Sequence, residues 1–446
     1  MGGSAALLGA VISLPAAAAT VLAAWPRLGE RPRRMEGVAA GALGGALGLV
    51  SVLACSGPTF AQLPGLRFQA APAACLQSLV ALGVAVAAVV GGRLGEVSRA
   101  RWMLVSVLYF VHTALGAAFA ADLSTFVVFF EGSVLPLFAM VGLSGASRRG
   151  ASGLQLAGAL GAGSTLVLWA AAQPTPTSVG FWALTLGFGI RAAWVPLHAW
   201  LPRAVEGPPA GALALILGPA LVMGVDGYLR FAAPLASEVA ATRLAWAGAA
   251  SFLYCALVAS TQLDLAKRLA YGAASPLGAA LVGAAISGEL GSRGARLLLL
   301  AQPLATGAVV LLVGRLMELR GGRRLSDYGG LATRAPRWTA ALGLAGLAAA
   351  GLAPFSGLGA RLLLGAGVLR APRLGLGCAL LLALGWLVSA GHLVRLFARL
   401  TGGPPPEEAG PTLEGRTVWV AVLLLAGSAV LAATTLESLP FPERWP

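Results

Sequence analysis

Charged and helix-breaking residues interrupt one strongly apolar segment in a way that suggests ion or proton chemistry. The stretch GIRAAWVPLHAWLPRAVEGPP, residues 189–209, holds Arg191, Pro196 and His198 within a run that is otherwise apolar enough to cross a bilayer. A charged side chain in hydrocarbon is costly, and a proline there frees a backbone carbonyl that lipid cannot satisfy. Ionisable residues in such positions typically belong to ion or proton pathways. The segment therefore requires a partner group elsewhere in the chain.

Glu131, in FVVFFEGSVLPLF, is the clearest carboxylate within an apolar segment. Because a buried charge either becomes neutral or acquires an opposite charge, we expect Glu131 and Arg191 to pair across neighbouring helices. Such a pair can serve as a switching carboxylate and its counter-ion in proton transfer. The alternative is a static pair that only stabilises packing, with the prolines as ordinary helix kinks.

A second apolar segment is interrupted in the same manner. The stretch GLAPFSGLGARLLL contains Pro354 and Gly357, which predict a helix break, and Arg361, seven residues after the proline. The three histidines have no second imidazole or carboxylate at ligand spacing, so we expect no metal site. We expect His198 to be a hydrogen-bonded structural residue near the end of its helix.

The composition identifies an α-helical membrane protein that crosses the bilayer many times. Of 446 residues, 58% are hydrophobic and only 11% are charged, whereas soluble domains carry about a quarter charged residues. The apolar runs are continuous rather than alternating, which excludes a β-barrel. The net charge of +14 comes from arginines scattered through short loops, so we expect no nucleic-acid binding. The four cysteines lie apart without CxxC spacing, which argues against a metal or iron–sulfur centre.

Fourteen runs are long enough to cross a bilayer, and we number them as spans 1 to 14. They are residues 5–24, 37–55, 73–91, 102–120, 123–144, 151–172, 178–200, 210–232, 243–261, 268–287, 296–316, 337–369, 374–394 and 416–436. Most basic loop residues follow odd-numbered spans. The positive-inside rule therefore places both termini on the non-cytoplasmic side of a bacterial inner membrane.

The interrupted spans 7 and 12 occupy equivalent places in two groups of five spans, 4 to 8 and 9 to 13. A shift by five spans reverses orientation, which is the pattern of an inverted repeat with an ion or proton site at the repeat interface. We predict four regions: accessory spans in 1–100, a first repeat in 101–232, an inverted second repeat in 243–400, and a loop with span 14 in 401–446.

Several motifs resemble one known family. In order, they are FFEGSVLPLF, VPLHAWLPRAVEGPPAGALALILGPALVMGVDGYLRF, QLDLAKRLAY, LSDYGGLATRAP and GLAPFSGLGARLLL. Together they resemble the antiporter-like membrane subunits of respiratory complex I, particularly its M-type (chain 4) subunit, with relatives in Mrp cation/proton antiporters and membrane-bound hydrogenases. The resemblance covers roughly residues 100 to 400 and implies fourteen helices with two inverted five-helix repeats.

The resemblance also implies a polar axis along the membrane midplane, from which this sequence departs. In the family, a glutamate on helix 5 pairs with a lysine on helix 7, and lysine, histidine or glutamate residues on helices 8, 10 and 12 continue the axis. The matching residues here are Glu131, Arg191, Val222, Gln302 (assigned to helix 10) and Arg361, and a proline stands where a histidine is common, Pro276.

These departures have a chemical consequence. A lysine can release its proton in a low dielectric, whereas a guanidinium stays protonated and valine has no proton to exchange. The relay is therefore degenerate. Asp226, one turn beyond Val222, offers a route by which water could enter the gap, with Tyr228 assisting. The predicted proton path consists of Glu131, Arg191, His198, Asp226 and Arg361.

The resemblance implies a non-redox, proton-translocating subunit of an NADH–quinone oxidoreductase, among homologous L- and N-type subunits and lipid. FMN, iron–sulfur clusters and quinone would belong to partner subunits, with no cofactor in this chain. A variant makes the subunit a spacer that no longer pumps. The alternatives are an Mrp-like cation/proton antiporter subunit, or the membrane arm of a hydrogenase, a ferredoxin-linked complex or an inorganic-carbon uptake system.

Overall fold

A computed structural model of the chain describes residues 2–25, 32–94, 99–143, 149–173, 175, 177–286, 288–403 and 415–437. Each of the fourteen predicted spans corresponds to a helix or a pair of helices in this part of the chain. They are Gly2–Ala24, Pro32–Cys55, Pro72–Gly91, Ala100–Phe119, Leu123–Gly132 with Val134–Gly142, Arg149–Ala171, Ser178–Arg191, Ala210–Leu215 with Leu221–Gly227, Glu238–Thr261, Leu265–Ala285, Glu289–Arg320, Pro336–Ala349 with Gly357–Arg370, Gly375–Thr401, and Gly415–Glu437.

Among the described residues, eleven of these spans are long and apolar enough to cross a membrane. Spans 7 and 12 are interrupted, as the sequence predicts, and span 10 is continuous but less apolar. Spans 8 and 11 lie at the centre of the bundle, because the most apolar 18-residue window of each is 100% and 94% buried. Residue 1, the loop at 404–414 and residues 438–446 lie outside the described residues. The side of the membrane on which the termini lie stays a prediction.

The break in span 7 follows Arg191, the last residue of its first helix. The chain turns through Ala193, whose φ of 54° lies in the left-handed region, and resumes as the short helix Leu201–Ala204. Side chains satisfy the freed backbone groups: Ser251 Oγ accepts from the Val195 amide at 3.0 Å, and Trp200 Nε1 donates to the Ile190 carbonyl at 2.8 Å. Non-helical backbone at membrane depth is thus paired within the protein.

The break in span 12 separates Pro336–Ala349 from Gly357–Arg370. Its turn carries Gly351 in the left-handed region at φ 61°, and Ser356 Oγ lies 2.9 Å from Ser428 Oγ on span 14. The peptide bonds before Pro196 and Pro354 are both cis. Both predicted breaks are therefore present, whereas the inverted symmetry and the four regional boundaries stay predictions.

Span 8 contains two π-helical turns that the sequence does not signal, Ile216–Ala220 and Tyr228–Ala232. The first contains Pro219, which lacks the amide hydrogen that a regular α-helix needs. Span 5 has a further interruption at Ser133, between Leu123–Gly132 and Val134–Gly142. π-turns and breaks of this kind frequently occur at functional sites.

A β-hairpin, Thr59–Leu63 paired with Leu66–Ala70, lies between spans 2 and 3. The sequence predicts only a polar loop there. The hairpin is anchored to the start of span 5, since the Arg67 amide donates to Thr125 Oγ1 at 2.9 Å.

The motifs after spans 7, 9 and 11 meet on one face of the bundle. Lys267 Nζ lies 3.1 Å from Glu206 Oε1, and Arg323 Nε lies 3.7 Å from Asp264 Oδ2. Arg323 also donates to the backbone carbonyls of Val205 and Glu206. The QLDLAKRLAY and LSDYGGL motifs therefore hold three loops together rather than forming part of the apolar interior.

Span 8 approaches the end of the first helix of span 7 closely at Gly224. A Cβ atom there would lie 2.6 Å from the Ala192 amide nitrogen and 2.7 Å from the Phe188 carbonyl oxygen. These are backbone atoms, which cannot move away as a flexible side chain can. The absence of a side chain at Gly224 thus sets the position of Arg191 relative to span 8.

We expect Gly224→Ala to lower the free energy of unfolding by about 1–3 kcal/mol, the usual cost of overpacking a close contact. Thermal denaturation of the detergent-solubilised protein measures the effect. Gly346→Ala is the matched control, because nothing lies within 4 Å of a Cβ at that helical position. An equal change in both variants would show that the Gly224 contact is not tight.

Candidate functional site

The buried guanidinium of Arg191 lies against the break in span 5. Arg191 is 1% exposed; its Nη1 donates to Ser133 Oγ at 2.9 Å and its Nη2 to the Phe130 carbonyl at 3.1 Å. The guanidinium carbon also lies 4.5 Å from the centre of the Phe130 ring. The charge is therefore held by charge-assisted hydrogen bonds and a cation–π contact, both of which are strong when shielded from water.

The local sequence explains why this carbonyl is available. In a continuous α-helix the Phe130 carbonyl would accept from the amide of residue 134, but Ser133 interrupts the helix between Leu123–Gly132 and Val134–Gly142. The Phe130 carbonyl therefore accepts from Arg191 and from the Ser133 hydroxyl at 2.6 Å. On its own side, Arg191 occupies the last turn of a helix, where the macrodipole favours a cation.

Glu131 lies close enough to Arg191 for the two charges to interact. However, no ion pair within 4.0 Å joins them, and the hydrogen bonds of Arg191 go to Ser133 and Phe130 instead. Glu131 is partly exposed, its Oε1 is buried without a hydrogen-bond partner, and Ser164 of span 6 lies close to its carboxyl group. The expected pair therefore interacts through space rather than by direct contact, because the break in span 5 offers the guanidinium better-placed acceptors.

An unpartnered carboxylate oxygen beside a positive charge is suited to exchange a proton. The attraction of Arg191 favours the ionised form of Glu131, whereas its partial burial favours the neutral form. Ser133 and Ser164 are the site residues that the sequence did not identify, although the GSVLP pattern marks the break at Ser133.

Asp226 is buried and joined to Arg230, with Arg230 Nη1 3.3 Å from its Oδ2. Arg230 also donates to the carbonyls of Ala117, Ala118 and Ala120 at the end of span 4. Asp226, Val222 and Gln77 line a cavity of about 20 Å³, room for about one water molecule. Tyr228 does not line this cavity and packs edge-on against Trp194, at a centroid distance of 5.3 Å.

Gln302 links spans 8 and 10 near the centre of the bundle. Its Nε2 donates to the carbonyls of Leu217 at 3.0 Å and Ala273 at 3.2 Å. Gln302 lies on Glu289–Arg320, which is span 11, so its assignment to span 10 is wrong. Pro276 is the position on span 10, Leu265–Ala285.

Arg361 lies in a second cavity, of about 60 Å³, which has room for a few water molecules. Gly351 at the break leaves the space that the guanidinium occupies, and the guanidinium carbon lies 5.8 Å from the centre of the Trp386 ring. The other polar lining residues are Arg268, Gln302, Thr306, Ser389 and His392. None of the described residues that line the cavity is acidic, so Arg268 and Arg361 share it without a carboxylate.

The sequence did not identify Arg268 and His392 as members of this cavity. Both are 3% exposed, and Arg268 Nη2 donates to the His392 carbonyl at 2.8 Å. His392 Nδ1 has no hydrogen-bond partner among the described residues. The two residues are separated by 124 positions and become neighbours only through the packing of spans 10 and 13.

His198 packs between two tyrosine rings, with centroid distances of 5.5 Å to Tyr254 and 5.8 Å to Tyr271. Its Nδ1 is buried without a hydrogen-bond partner of regular geometry. Within the described part of the chain, no group of three or more His, Cys, Asp and Glu residues could hold a metal ion.

These features define a class: multi-helix membrane proteins with two interrupted helices, a charged pair beside the first and a polar cavity beside the second. Residues 164–383 match the family described as "NADH:quinone oxidoreductase/Mrp antiporter, TM". Over these residues, about half of its length, the chain is similar to this family of antiporter-like membrane subunits. The resemblance that the sequence motifs indicate is thus confirmed.

Curated relatives carry names from respiratory complexes. The chain is 37% identical over 268 residues to NADH-quinone oxidoreductase subunit 13 of Thermus thermophilus, a match that covers 54% of this chain and 57% of the relative. It is 27% identical over 358 residues to NADH-quinone oxidoreductase subunit M of Rhodobacter capsulatus, covering 72% of this chain and 69% of the relative.

Solved structures show the same fold over nearly the whole chain. A chain of respiratory complex I from Thermus thermophilus superimposes with a TM-score of 0.85 at 26% identity, with 96% of each chain covered. The Mrp complex from Dietzia also gives a TM-score of 0.85, at 20% identity, with 98% of this chain and 96% of that chain covered. The second likeness concerns the fold alone.

Proposed function

We propose that the chain is an M-type, proton-translocating subunit in the membrane arm of an NADH:quinone oxidoreductase. The observation that carries this proposal is the buried Arg191 held on the break of span 5 beside a partly unpaired Glu131. The relatives whose names contain subunit 13 and subunit M support the choice of complex. NADH oxidation and quinone reduction would occur in other chains, with their FMN and iron–sulfur clusters, and this chain would need no cofactor.

The relay in this subunit is shortened. Glu131 is the group that would gain and lose a proton, and Arg191 is its fixed counter-ion, since a guanidinium does not deprotonate in proteins. Beyond them, Val222 and Gln302 cannot titrate, so proton transfer across the centre would depend on water beside Asp226. The two cavities, of about 20 and 60 Å³, provide space for that water.

Homologous L- and N-type subunits are the expected neighbours, in a bacterial inner membrane with both termini on the non-cytoplasmic side. The basic loops that follow odd-numbered spans support this orientation. Two of these basic residues, Lys267 and Arg323, lie together on one face, in the loop cluster around Glu206 and Asp264.

An Mrp-like cation/proton antiporter subunit is the second candidate, because the Mrp complex has the same fold at an equal TM-score. The two functions differ in their partners and in their substrate. Only the oxidoreductase requires subunits with flavin and iron–sulfur clusters. Only the antiporter moves Na⁺ or another cation in exchange for protons.

Affinity purification of the tagged chain from its own membranes separates these candidates. We expect iron–sulfur and quinone-binding subunits to copurify, and the preparation to oxidise NADH with added quinone. A preparation that contains only membrane subunits and shows Na⁺/H⁺ exchange after reconstitution would contradict the proposal and favour the antiporter. Copurified hydrogenase subunits would favour the membrane arm of a hydrogenase.

A further inference from the structure

A deep groove opens where span 11 ends and spans 12 and 14 begin. Its rim is basic, with Arg320, Arg334 and Arg337, and its walls are apolar, with Leu344, Trp419 and Val422. We call these six residues the basic groove. Among the residues that the structure describes, none that lines the groove is acidic. The groove therefore combines positive charge at one end with hydrocarbon along its length.

The groove runs from one membrane surface toward the interior of the bilayer, as a lipid molecule does. Arg320 ends Glu289–Arg320, Arg337 begins Pro336–Ala349, and Gly415–Glu437 begins beside them, so the rim lies at one membrane surface. Leu344 lies seven residues beyond Arg337, about 10 Å deeper along the helix. The volume is about 1160 Å³, larger than the ~300–1,000 Å³ of a small-molecule pocket.

Two tryptophans line the groove, one exposed and one buried. Trp419 is 70% exposed, in the position of an interfacial aromatic residue. Trp338 lines the groove and is 2% exposed, yet its Nε1 hydrogen has no acceptor among the described residues. A buried donor without a partner costs about 1–3 kcal/mol, so an acceptor oxygen at this place would be stabilising.

We propose that the basic groove binds an anionic phospholipid of the surrounding bilayer, with its phosphate at the arginine rim and its acyl chains against Leu344 and Val422. Charge complementarity selects this occupant over a neutral lipid or an apolar helix of another subunit. Each arginine near the membrane surface contributes about 1 kcal/mol toward an anionic headgroup. Basic pockets between membrane helices are a recurrent form of such sites.

Native mass spectrometry of the purified complex tests the proposal, after the detergent-washed sample is exposed to phosphatidylcholine vesicles with or without 10% diphosphatidylglycerol or phosphatidylglycerol. We expect this subunit to retain one anionic lipid that Arg337→Gln binds about fivefold more weakly, as the loss of about 1 kcal/mol predicts. Arg243→Gln is the control, since it removes one exposed charge at the start of span 9, away from the groove.

Selective retention of either anionic lipid by the wild-type chain and the control, with weaker retention by Arg337→Gln, supports the proposal. Equal lipid retention by the two variants overturns it. Trp419→Ala is a second variant, which keeps every charge and removes only the apolar wall, and weaker retention there supports acyl contact. A structure of the complex with another protein chain in the groove also overturns the proposal.

Discussion

Glu131→Gln in the assembled complex should lower the rate of proton translocation about tenfold or more, with a smaller effect on electron transfer. The amide keeps the size and polarity of the carboxyl group but cannot gain or lose a proton at Oε1. A tenfold loss corresponds to about 1.4 kcal/mol at the limiting barrier. Proton uptake and quinone reduction, measured together in reconstituted vesicles, give the ratio of protons to electrons.

The matched control for this experiment is Glu206→Gln, which removes a carboxylate from the loop cluster rather than from the break in span 5. We expect its ratio of protons to electrons to equal that of the wild type. If Glu131→Gln also leaves the ratio unchanged, the subunit is a spacer and the Arg191 site is a packing device. That result would leave the likeness to the family intact, since it rests on the match over residues 164–383 as a whole and on the fold.

Arg191→Met should be the most destabilising single change at the site, by about 3–5 kcal/mol. It removes both hydrogen bonds of the guanidinium and leaves the Glu131 carboxylate without its counter-ion. Thermal denaturation in detergent, together with the amount of this subunit in the purified complex, measures the effect. A denaturation temperature close to that of the wild type would show that Glu131 is neutral in the resting protein.

Arg191→Lys separates the structural role of the charge from its chemistry. The ammonium keeps the charge but can replace only part of the guanidinium contact, so we expect a loss of about 1.5–3 kcal/mol. A lysine in low dielectric can release its proton, so we also expect more protons to be translocated per electron. Arg203→Lys is the control, since Arg203 donates to the side chain of Gln155 away from this site. It should change neither the free energy of unfolding nor the number of protons translocated per electron. A lower ratio in Arg191→Lys would show that arginine does not block the relay.

The sequence predicts the helical framework of this protein well, because bilayer thickness fixes the length of each span and proline fixes the breaks. Pro196 and Pro354 mark both interruptions correctly. The π-turns of span 8 and the interruption at Ser133 are less accessible, since they depend on how neighbouring helices share carbonyl groups. The hairpin at 59–70 has too few residues for a clear alternating pattern.

The site is predicted only in its principal members. Charge rarity in an apolar chain identifies Glu131 and Arg191, but the sequence cannot say which acceptor a guanidinium chooses among several within reach. The second cavity brings together Arg268, Arg361 and His392 from three spans. The break in span 12 marks Arg361 in the sequence, but Arg268 and His392 have no such signal, so only the packed structure shows that the three share one cavity.

The amide of Gln302 has a mechanical consequence. Its Nε2 donates to the carbonyl of Leu217 on span 8 and to that of Ala273 on span 10. Spans 8 and 10 belong to the two different predicted repeats. An amide carries no ionic charge at any physiological pH, so protonation of Gln302 cannot weaken these two hydrogen bonds. Conformational coupling between the two predicted repeats at this point therefore depends on movement of the backbone of spans 8 and 10, and not on a change of charge at Gln302.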